Sequence, residues 1–148
     1  MYKIVMVLVA LWATTLMAEE IHWAKDFQSG IQQAQKENKP VLFIFSRHSC
    51  KYCVILEDKT LKNPEVAKRL NKNFISIISY SDEYDYTPRE LWRPGTPTIW
   101  FLKPNGKPLY AIDKNFPIMG AVPKEYFMQI LDVVERDFKK LDKKKSGQ

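Results

Sequence analysis

Two cysteines, Cys50 and Cys53, are the only thiols of the 148-residue chain, and two residues separate them. Thiols three positions apart on the first turn of a helix can join and part with little movement of the backbone. At a helix start, unpaired N–H groups and the positive end of the helix dipole favour an anion, so the first thiol should have a lowered pKa. We therefore expect Cys50 to attack as a thiolate, with Lys51 adding positive charge. Attack on a disulfide of a partner would join Cys50 to that partner in a mixed disulfide. Cys53 would then attack Cys50 and release the partner.

The cysteine pair has three other interpretations. A structural zinc site would need more ligands, but the chain has no other cysteine and only two histidines, His22 and His48. An inert structural disulfide is disfavoured because so small a ring restrains almost no chain. Transfer of Cu(I), with Met119 or Met128 nearby, is a weaker alternative because methionines at helical spacing more often fill a core. We expect redox chemistry with no metal and no bound cofactor.

Two ionisable side chains near the thiols are candidates for proton transfer. Glu57 lies four residues after Cys53, about one helical turn further along the chain. Its alternative is an ordinary carboxylate on the helix surface or in an ion pair. His48 precedes Cys50 by two residues and would supply positive charge or pass a proton, unless it is a plain histidine of an exposed loop. The sequence leaves both alternatives open.

The predicted elements place both thiols where a strand turns into a helix. Val41–Phe45 is a continuous aliphatic and aromatic run, which indicates a buried central strand. Asn63 followed by Pro64 is typical of a helix start, and 74–80 has the composition of the next strand. A connection of that length implies that the two strands are parallel. Before them, apolar residues at helical spacing predict a helix over 22–36.

The second half of the chain predicts an antiparallel strand pair and a last helix. Thr87–Glu90 has the form of a capping box that opens a short helical turn. Thr98–Leu102 is a further strand, and a Pro-Asn-Gly turn at 104–106 leads into another strand over 108–112. Pro123 begins a helix with one apolar face. We expect an α/β fold, with a mixed sheet of about four strands flanked by helices on both faces.

Both ends of the chain are expected to lie outside this domain, which would span 19–138. Residues 1–18 combine a positive start, an apolar run and a small-residue exit, the layout of a secretory signal peptide cleaved after Ala18. An uncleaved membrane anchor is the alternative. Residues 139–148 are expected to form a basic, flexible tail. That tail would be a solvated helix end or a contact for anionic lipid.

The net charge of +6 is concentrated at the C-terminal end. Residues 136–148 hold six basic and two acidic side chains, whereas the rest of the processed chain is nearly neutral. No basic stripe interleaved with aromatic residues runs through the body of the sequence. We therefore do not expect nucleic-acid binding.

Three segments together resemble thioredoxin-fold thiol:disulfide oxidoreductases, above all their exported single-domain members. They are the strand Val41–Phe45, the Cys50-Lys51-Tyr52-Cys53 motif that follows it, and Gly95-Thr96-Pro97-Thr98. The resemblance covers nearly all of the processed chain. It implies that Pro97 is cis and faces the cysteines, and that the backbone of Thr96 pairs with a substrate peptide in the manner of an added strand.

Three positions depart from the pattern of thioredoxin itself. Ser49 stands where a tryptophan is common, and Lys51-Tyr52 replaces Gly-Pro between the cysteines. Ile44 stands where thioredoxin has a buried aspartate that assists proton transfer to the second cysteine. Glu57 is the candidate to replace that carboxylate.

The implied function is that of a periplasmic enzyme that reduces, or isomerises, disulfides of exported proteins through a mixed disulfide. The alternatives are a disulfide oxidase and a binding module that recruits a partner through the acidic aromatic loop Ser81–Tyr86 and Trp92. The expected partners are thiols and disulfides of exported proteins, and a membrane electron donor such as a transmembrane disulfide interchange protein. The protein is expected to act as a monomer.

Overall fold

The computed structural model describes residues 18–109 and 117–147. The helices are α1 (Phe27–Glu37), α2 (Lys51–Leu56), α3 (Pro64–Asn73) and α4 (Lys124–Ser146), and the strands are β1 (Val41–Ser46), β2 (Ile75–Tyr80), β3 (Thr98–Leu102) and β4 (Ile118–Met119). A π-helical turn, Glu57–Leu61, continues α2, and a 3₁₀ turn, Ser81–Glu83, follows β2. The predicted signal peptide lies, except for Ala18, outside the described residues.

The strands of the described residues form one mixed sheet in the order β2-β1-β3-β4. β1 is parallel to β2, and Ser46 lies opposite Tyr80 at the end of both strands. β1 is antiparallel to β3, and its Phe45 lies opposite Thr98. Every residue of β1 is buried, as its unbroken apolar run predicts. The expected α/β fold with a four-stranded mixed sheet is confirmed.

Alternate side chains of the central strands fill a core on each face of the sheet. One core joins Leu42 and Ile44 to the inward faces of α3 and α4. The other joins Val41 and Phe43 to Ala34 of α1. Because both faces of β1 are covered, the strand is fixed in position and so is the chain that leaves its end.

The first helix begins at Phe27 and not at His22, so the predicted start is wrong by five residues. Asp26 caps it: its side chain accepts the N–H of Ser29, and Ser29 Oγ accepts the N–H of Asp26 in return. The preceding chain pairs with the sheet instead, since Trp23 bridges Ser76 of β2. The apolar spacing that includes Trp23 thus spans an extended segment and a helix.

The predicted capping box at Thr87–Glu90 is also wrong. The buried Thr87 Oγ1 has no hydrogen-bond partner among the described residues. The turn closes through the backbone, because the N–H groups of Leu91 and Trp92 both donate to the carbonyl of Pro88.

The antiparallel pairing after β3 is confirmed at its first residues. Gly106 adopts a positive φ of +80° in the predicted turn, and Leu102 bridges Pro108. The remainder of the strand predicted over 108–112 lies outside the described residues. The short strand β4, unmarked in the sequence, pairs with the start of β3 and places Met119 opposite Thr98.

The last helix, α4, continues to Ser146 and includes most of the predicted tail. Phe138 and Leu141 pack against the core, and Asn38 Nδ2 donates to Asp142 Oδ1 at 3.0 Å. The prediction of a separate flexible tail from residue 139 is therefore wrong as far as Ser146, because the apolar face of the helix continues beyond Phe138. In the described parts of the chain, no helix combines the length and apolarity needed to cross a membrane.

A close contact between α1 and β2 gives a test of this packing. A Cβ atom on Gly30 would lie 2.5 Å from Cγ1 and Cδ1 of the buried Ile77. We expect Gly30→Val to lower the free energy of unfolding by about 1–3 kcal/mol, measured by urea denaturation, because the added side chain overpacks the core. Gly147→Val is the control, since a Cβ there would contact, among the described residues, only the Lys143 carbonyl at 3.5 Å. Equal losses in the two variants would contradict the packing of α1 on β2.

Candidate functional site

Both cysteines are free thiols at the start of α2, as predicted. Cys50 is the N-cap residue, and its Sγ accepts the N–H of Cys53 at 3.3 Å. Cys50 is partly exposed, whereas Cys53 is 0% exposed. A protein partner can therefore reach the first thiol while the second stays behind it.

The Thr96-Pro97 peptide lies against the exposed thiol. The peptide bond is cis, as the resemblance implied. Cys50 Sγ donates to the carbonyl of Thr96 at 3.3 Å. Thr98 Oγ1 donates to Gly95 O at 2.6 Å, and the carbonyl of Pro97 accepts the N–H of Gly120 at 3.0 Å. These contacts fix both flanks of the segment that faces Cys50.

The surroundings of the two thiols shift their pKa values in opposite directions. Partial burial works to raise the pKa of Cys50, but hydrogen bonds with the side chains of Cys53 and Thr96, and with the N–H groups of Cys53 and Tyr52, hold it below the usual value. Burial raises the pKa of Cys53, and Cys50 raises it further; bonds from Thr96 and Ser46 oppose the rise without cancelling it. This order suits an attacking Cys50 and a resolving Cys53.

Glu57 lies in a hydrogen-bonded network behind the buried thiol. Its Oε1 accepts the hydroxyl of Ser46 at 3.0 Å, and its Oε2 accepts the hydroxyl of Tyr80 at 3.1 Å. Ser46 also interacts with Cys53 closely enough to work against the raised pKa of that thiol, so its hydroxyl stands between the thiol and the carboxylate. Burial, with the charge and hydrogen bond of Glu57, raises the pKa of Tyr80 far above its usual value, so the phenol remains a donor.

Sequence reasoning did not identify Ser46 and Tyr80 as site residues. Their signal is that each ends an apolar strand with a hydroxyl, and the parallel register places them opposite one another. Their common acceptor, Glu57, begins the π-helical turn and is half-buried. It is therefore not a carboxylate of the open helix surface.

A cavity of about 420 Å³ reaches this network from the N-terminal side of the chain. It is lined by Ala18, Glu19, Glu20, Ile21, Trp23, Glu57, Leu61, Lys62 and Tyr80. Asn71 fixes one wall, because its Nδ2 donates to the Glu20 carbonyl at 2.8 Å and its Oδ1 accepts the N–H of His22 at 2.8 Å. Glu57 thus borders both the hydroxyl that contacts Cys53 and a space open to solvent.

His48 lies in the exposed loop before Cys50. Its Nε2 lies 2.5 Å from Glu83 Oε1, and its ring stacks on that of Tyr80 with 3.9 Å between centroids. The hydrogen bond with Glu83 raises its pKa, and the charges of Asp82 and Glu57 add to the effect. Among the described residues, the side-chain hydrogen bond and ring stacking of His48 go to Glu83 and Tyr80, and no hydrogen bond joins its ring to either thiol.

The two methionines of the soft-metal alternative differ in their surroundings. Met128 packs against the main core, and Met119 is half-exposed, with its Cε where a side chain on Gly95 would lie. Over residues 18–109 and 117–147, no group of three or more His, Cys, Asp or Glu side chains is placed to hold a metal ion.

A dithiol at the start of a helix, facing a cis-proline on a mixed four-stranded sheet, defines a thioredoxin-fold protein with a CxxC centre. More particularly, the chain belongs to the Thioredox_DsbH family, described as "Protein of unknown function, DUF255", whose model matches residues 10–147.

The chain is also similar, over part of its length, to individual curated proteins. The chain is 28% identical over 89 residues to anterior gradient protein 3 of Mus musculus, over 59% of this chain and 52% of that protein. It thus spans about half the length of this curated relative, and less of others that it matches.

Two solved structures show the same fold. A thioredoxin from Thermus thermophilus gives a TM-score of 0.57 at 23% identity, over 79% of this chain and 88% of that one. A DsbH oxidoreductase gives a TM-score of 0.57 at 16% identity, over 84% and 92% of the two chains.

The opposite acidities of the two thiols can be measured separately. In Cys53→Ser, the alkylation rate of Cys50 by iodoacetamide should rise with pH through a midpoint below that of an ordinary cysteine, because the N-cap hydrogen bonds stabilise its thiolate. In Cys50→Ser, the remaining Cys53 should react slowly and only at higher pH, because burial disfavours its thiolate. Identical pH profiles for the two variants would contradict the assignment of nucleophile and resolving thiol.

Proposed function

We propose that this protein is an exported, periplasmic thiol-disulfide oxidoreductase that reduces, or isomerises, disulfides of exported proteins. The observation that carries the proposal is the asymmetric dithiol: Cys50 is reachable and lies 3.3 Å from the Thr96 carbonyl, while Cys53 is fully buried beside it. An inert cysteine pair needs neither a lowered pKa at one thiol nor a raised pKa at the other.

The proposed cycle has two displacement steps. The Cys50 thiolate attacks a disulfide of the partner, forming a mixed disulfide and releasing one partner sulfur as a thiolate that takes a proton from water. Cys53 then loses its proton and attacks Cys50 Sγ, which releases the second partner sulfur. The partner gains two electrons, and the protein is left with a Cys50–Cys53 disulfide that a dithiol donor must reduce.

Thr96 and Pro97 are the proposed platform for the partner peptide. Their segment lies directly against Cys50, so a peptide laid along it would bring its sulfur close to the nucleophile. Tyr52 and Met119 are both more than half exposed and flank this place, since Tyr52 lies within the motif and Met119 covers Gly95. They offer apolar contact to a partly unfolded partner.

Glu57 is the proposed proton acceptor for Cys53, acting through Ser46. In the mixed disulfide the partner covers the Cys50 side, so the proton of the buried thiol must leave by another route. The Ser46 hydroxyl can pass it to Glu57 Oε1, 3.0 Å away, and the cavity beside Glu57 lets that carboxylate exchange it with solvent.

Reduction is the proposed direction, and its support is that burial of Cys50 works against the thiolate form. Strong stabilisation of the thiolate favours the reduced state and makes a disulfide oxidising. Here burial opposes the hydrogen bonds that favour the thiolate.

Export rests on the signal-like residues 1–18, and the proposed electron donor is a transmembrane disulfide interchange protein. The proposed working form is a monomer.

A trapping experiment tests the first displacement. Cys53→Ser should accumulate mixed disulfides between Cys50 and exported proteins in a periplasmic extract, because the second displacement is blocked. Nonreducing gels with and without dithiothreitol measure the trapped species, and Cys50→Ser is the control that should trap none.

The trapping experiment also separates the enzyme from the binding module. Tyr84, Tyr86 and Trp92 are all more than half exposed and could contact a partner without the thiols. If Cys50→Ser retains the partners and Cys53→Ser traps nothing, the oxidoreductase proposal is wrong.

A second variant tests the proton acceptor. One equivalent of Ellman's reagent loads Cys50 with a coloured thiolate leaving group, and attack by Cys53 then releases it. Glu57→Gln should slow this release about 10- to 100-fold near neutral pH, because the base is lost. The difference in release rate between the wild type and Glu57→Gln should become smaller at higher pH, where Cys53 ionises without a general base.

Asp58→Asn is the matched control for Glu57→Gln. Asp58 is adjacent and exposed, and it pairs with Lys62 at 2.5 Å. Asp58→Asn removes one negative charge, as Glu57→Gln does, but Asp58 does not bond to Ser46. Equal slowing in the two variants, or slowing by Glu57→Gln that does not depend on pH, would remove Glu57 from the proton path.

A further inference from the structure

The loop that precedes the nucleophile is held along its whole length by the 3₁₀ turn Ser81–Glu83. Arg47 Nε donates to Ser81 Oγ at 3.2 Å, and His48 Nε2 contacts Glu83. Between them, Asp82 Oδ2 accepts two backbone N–H groups, that of His48 at 2.8 Å and that of Ser49 at 3.3 Å.

The sheet register explains why these two segments meet. β1 and β2 are parallel and end opposite one another at Ser46 and Tyr80, so the chain leaves both strands at the same edge. The first segment continues to Cys50, and the second turns at once into Ser81–Glu83. A carboxylate on that turn therefore faces the backbone just before α2.

Asp82 supplies the acceptor that this backbone lacks. The N–H groups of His48 and Ser49 precede the N-cap residue Cys50, so they take no part in the hydrogen bonds of α2. The N–H of Cys50 itself bonds to the carbonyl of Arg47 at 3.2 Å. Without Asp82, two adjacent donors would lose their protein acceptor, and the chain that sets Cys50 would lose its main anchor.

The same carboxylate brings a negative charge to the end of α2 where the thiolate forms. Glu83 is matched by the imidazole of His48, but no ion pair involves Asp82 among the described residues. A negative charge near Cys50 disfavours a thiolate, whereas the disulfide is neutral and indifferent to it. The charge therefore shifts the balance from dithiol towards disulfide.

We propose that Asp82 is a positioning residue of the dithiol centre, which anchors the loop before Cys50 and, by its charge, makes the Cys50–Cys53 pair a stronger reductant. This inference rests on the proposed function. Asp82 touches neither thiol and acts through the backbone of His48 and Ser49 and through its electrostatic field.

Three variants of the full processed chain separate the two effects. Asp82→Asn keeps a side-chain acceptor but removes the charge, and Asp82→Ala removes both. Asp85→Asn is the matched control, because this carboxylate lies in the same acidic segment but accepts the N–H of Tyr80 at 2.9 Å. Equilibrium with reduced and oxidised dithiothreitol, between about pH 6 and 10, reports the dithiol–disulfide balance. Amide hydrogen exchange reports the loop.

Asp82→Asn should raise the equilibrium ratio of dithiol to disulfide by about threefold or more. The increase should be largest at the pH values at which Cys50 is ionised. The amides of His48 and Ser49 should stay protected in this variant. Asp82→Ala should show the same shift and lose that protection. Asp85→Asn should show neither effect. If Asp82→Ala does not fold, Asp82→Asn still decides the charge effect against the control.

Two results would overturn the role of Asp82 alone: a shift in Asp82→Asn no larger than that in Asp85→Asn, or unchanged protection of both amides in Asp82→Ala. Either result would leave the proposed oxidoreductase function standing. If the wild-type chain forms no Cys50–Cys53 disulfide at any buffer ratio, both proposals fall together.

Discussion

The site depends on the position of β1 between a parallel and an antiparallel neighbour. Parallel pairing brings the ends of β1 and β2 to one edge of the sheet, and antiparallel pairing brings the start of β3 to the same edge, with Phe45 opposite Thr98. The thiols, the Thr96-Pro97 segment and the Asp82 turn all leave the sheet there. A shift of one residue in either register would turn alternate side chains to the wrong face and separate these groups.

The chemistry follows from unequal surroundings of two identical side chains. Cys50 receives hydrogen bonds at the start of a helix and faces solvent, whereas Cys53 lies one turn further along in a fully buried position. Ser46 and Glu57 form a polar connection from the buried thiol to a cavity beside the N-terminal segment. The partner would approach from one side, and the proton would leave by the other.

The sequence predicts the elements with strong periodicity and most of the residues that touch the reacting atoms. The apolar run of β1, the Asn63-Pro64 helix start and the CxxC spacing each have a local physical cause, and the structure agrees with all three. The cis Thr96-Pro97 bond was implied by the family resemblance alone. The errors arose where tertiary contacts decide: Trp23 has helical spacing but pairs with Ser76, and α4 passes residue 138 because Leu141 still reaches the core.

Local sequence patterns could not identify the missed site residues either, because tertiary contacts decide their roles. Ser46 and Tyr80 end their strands with ordinary hydroxyls, and Asp82 is one of several carboxylates in an acidic loop, so their positions along the chain do not show what they bond to. They become site residues only once the register of β1 and β2 is known. Glu57 was a candidate from its spacing, but its bonds to Ser46 and Tyr80 could not be read from the sequence.

The reduction potential of the Cys50–Cys53 pair decides whether the protein is a reductant of disulfides. It can be read from the fraction of disulfide in the processed protein after equilibration with dithiol–disulfide buffers. We expect a reversible two-electron couple with a potential closer to that of thioredoxin, about −270 mV, than to that of a strong oxidase, about −120 mV. A potential near the oxidase value would contradict the proposed direction, and the absence of any reversible couple would contradict the proposed function.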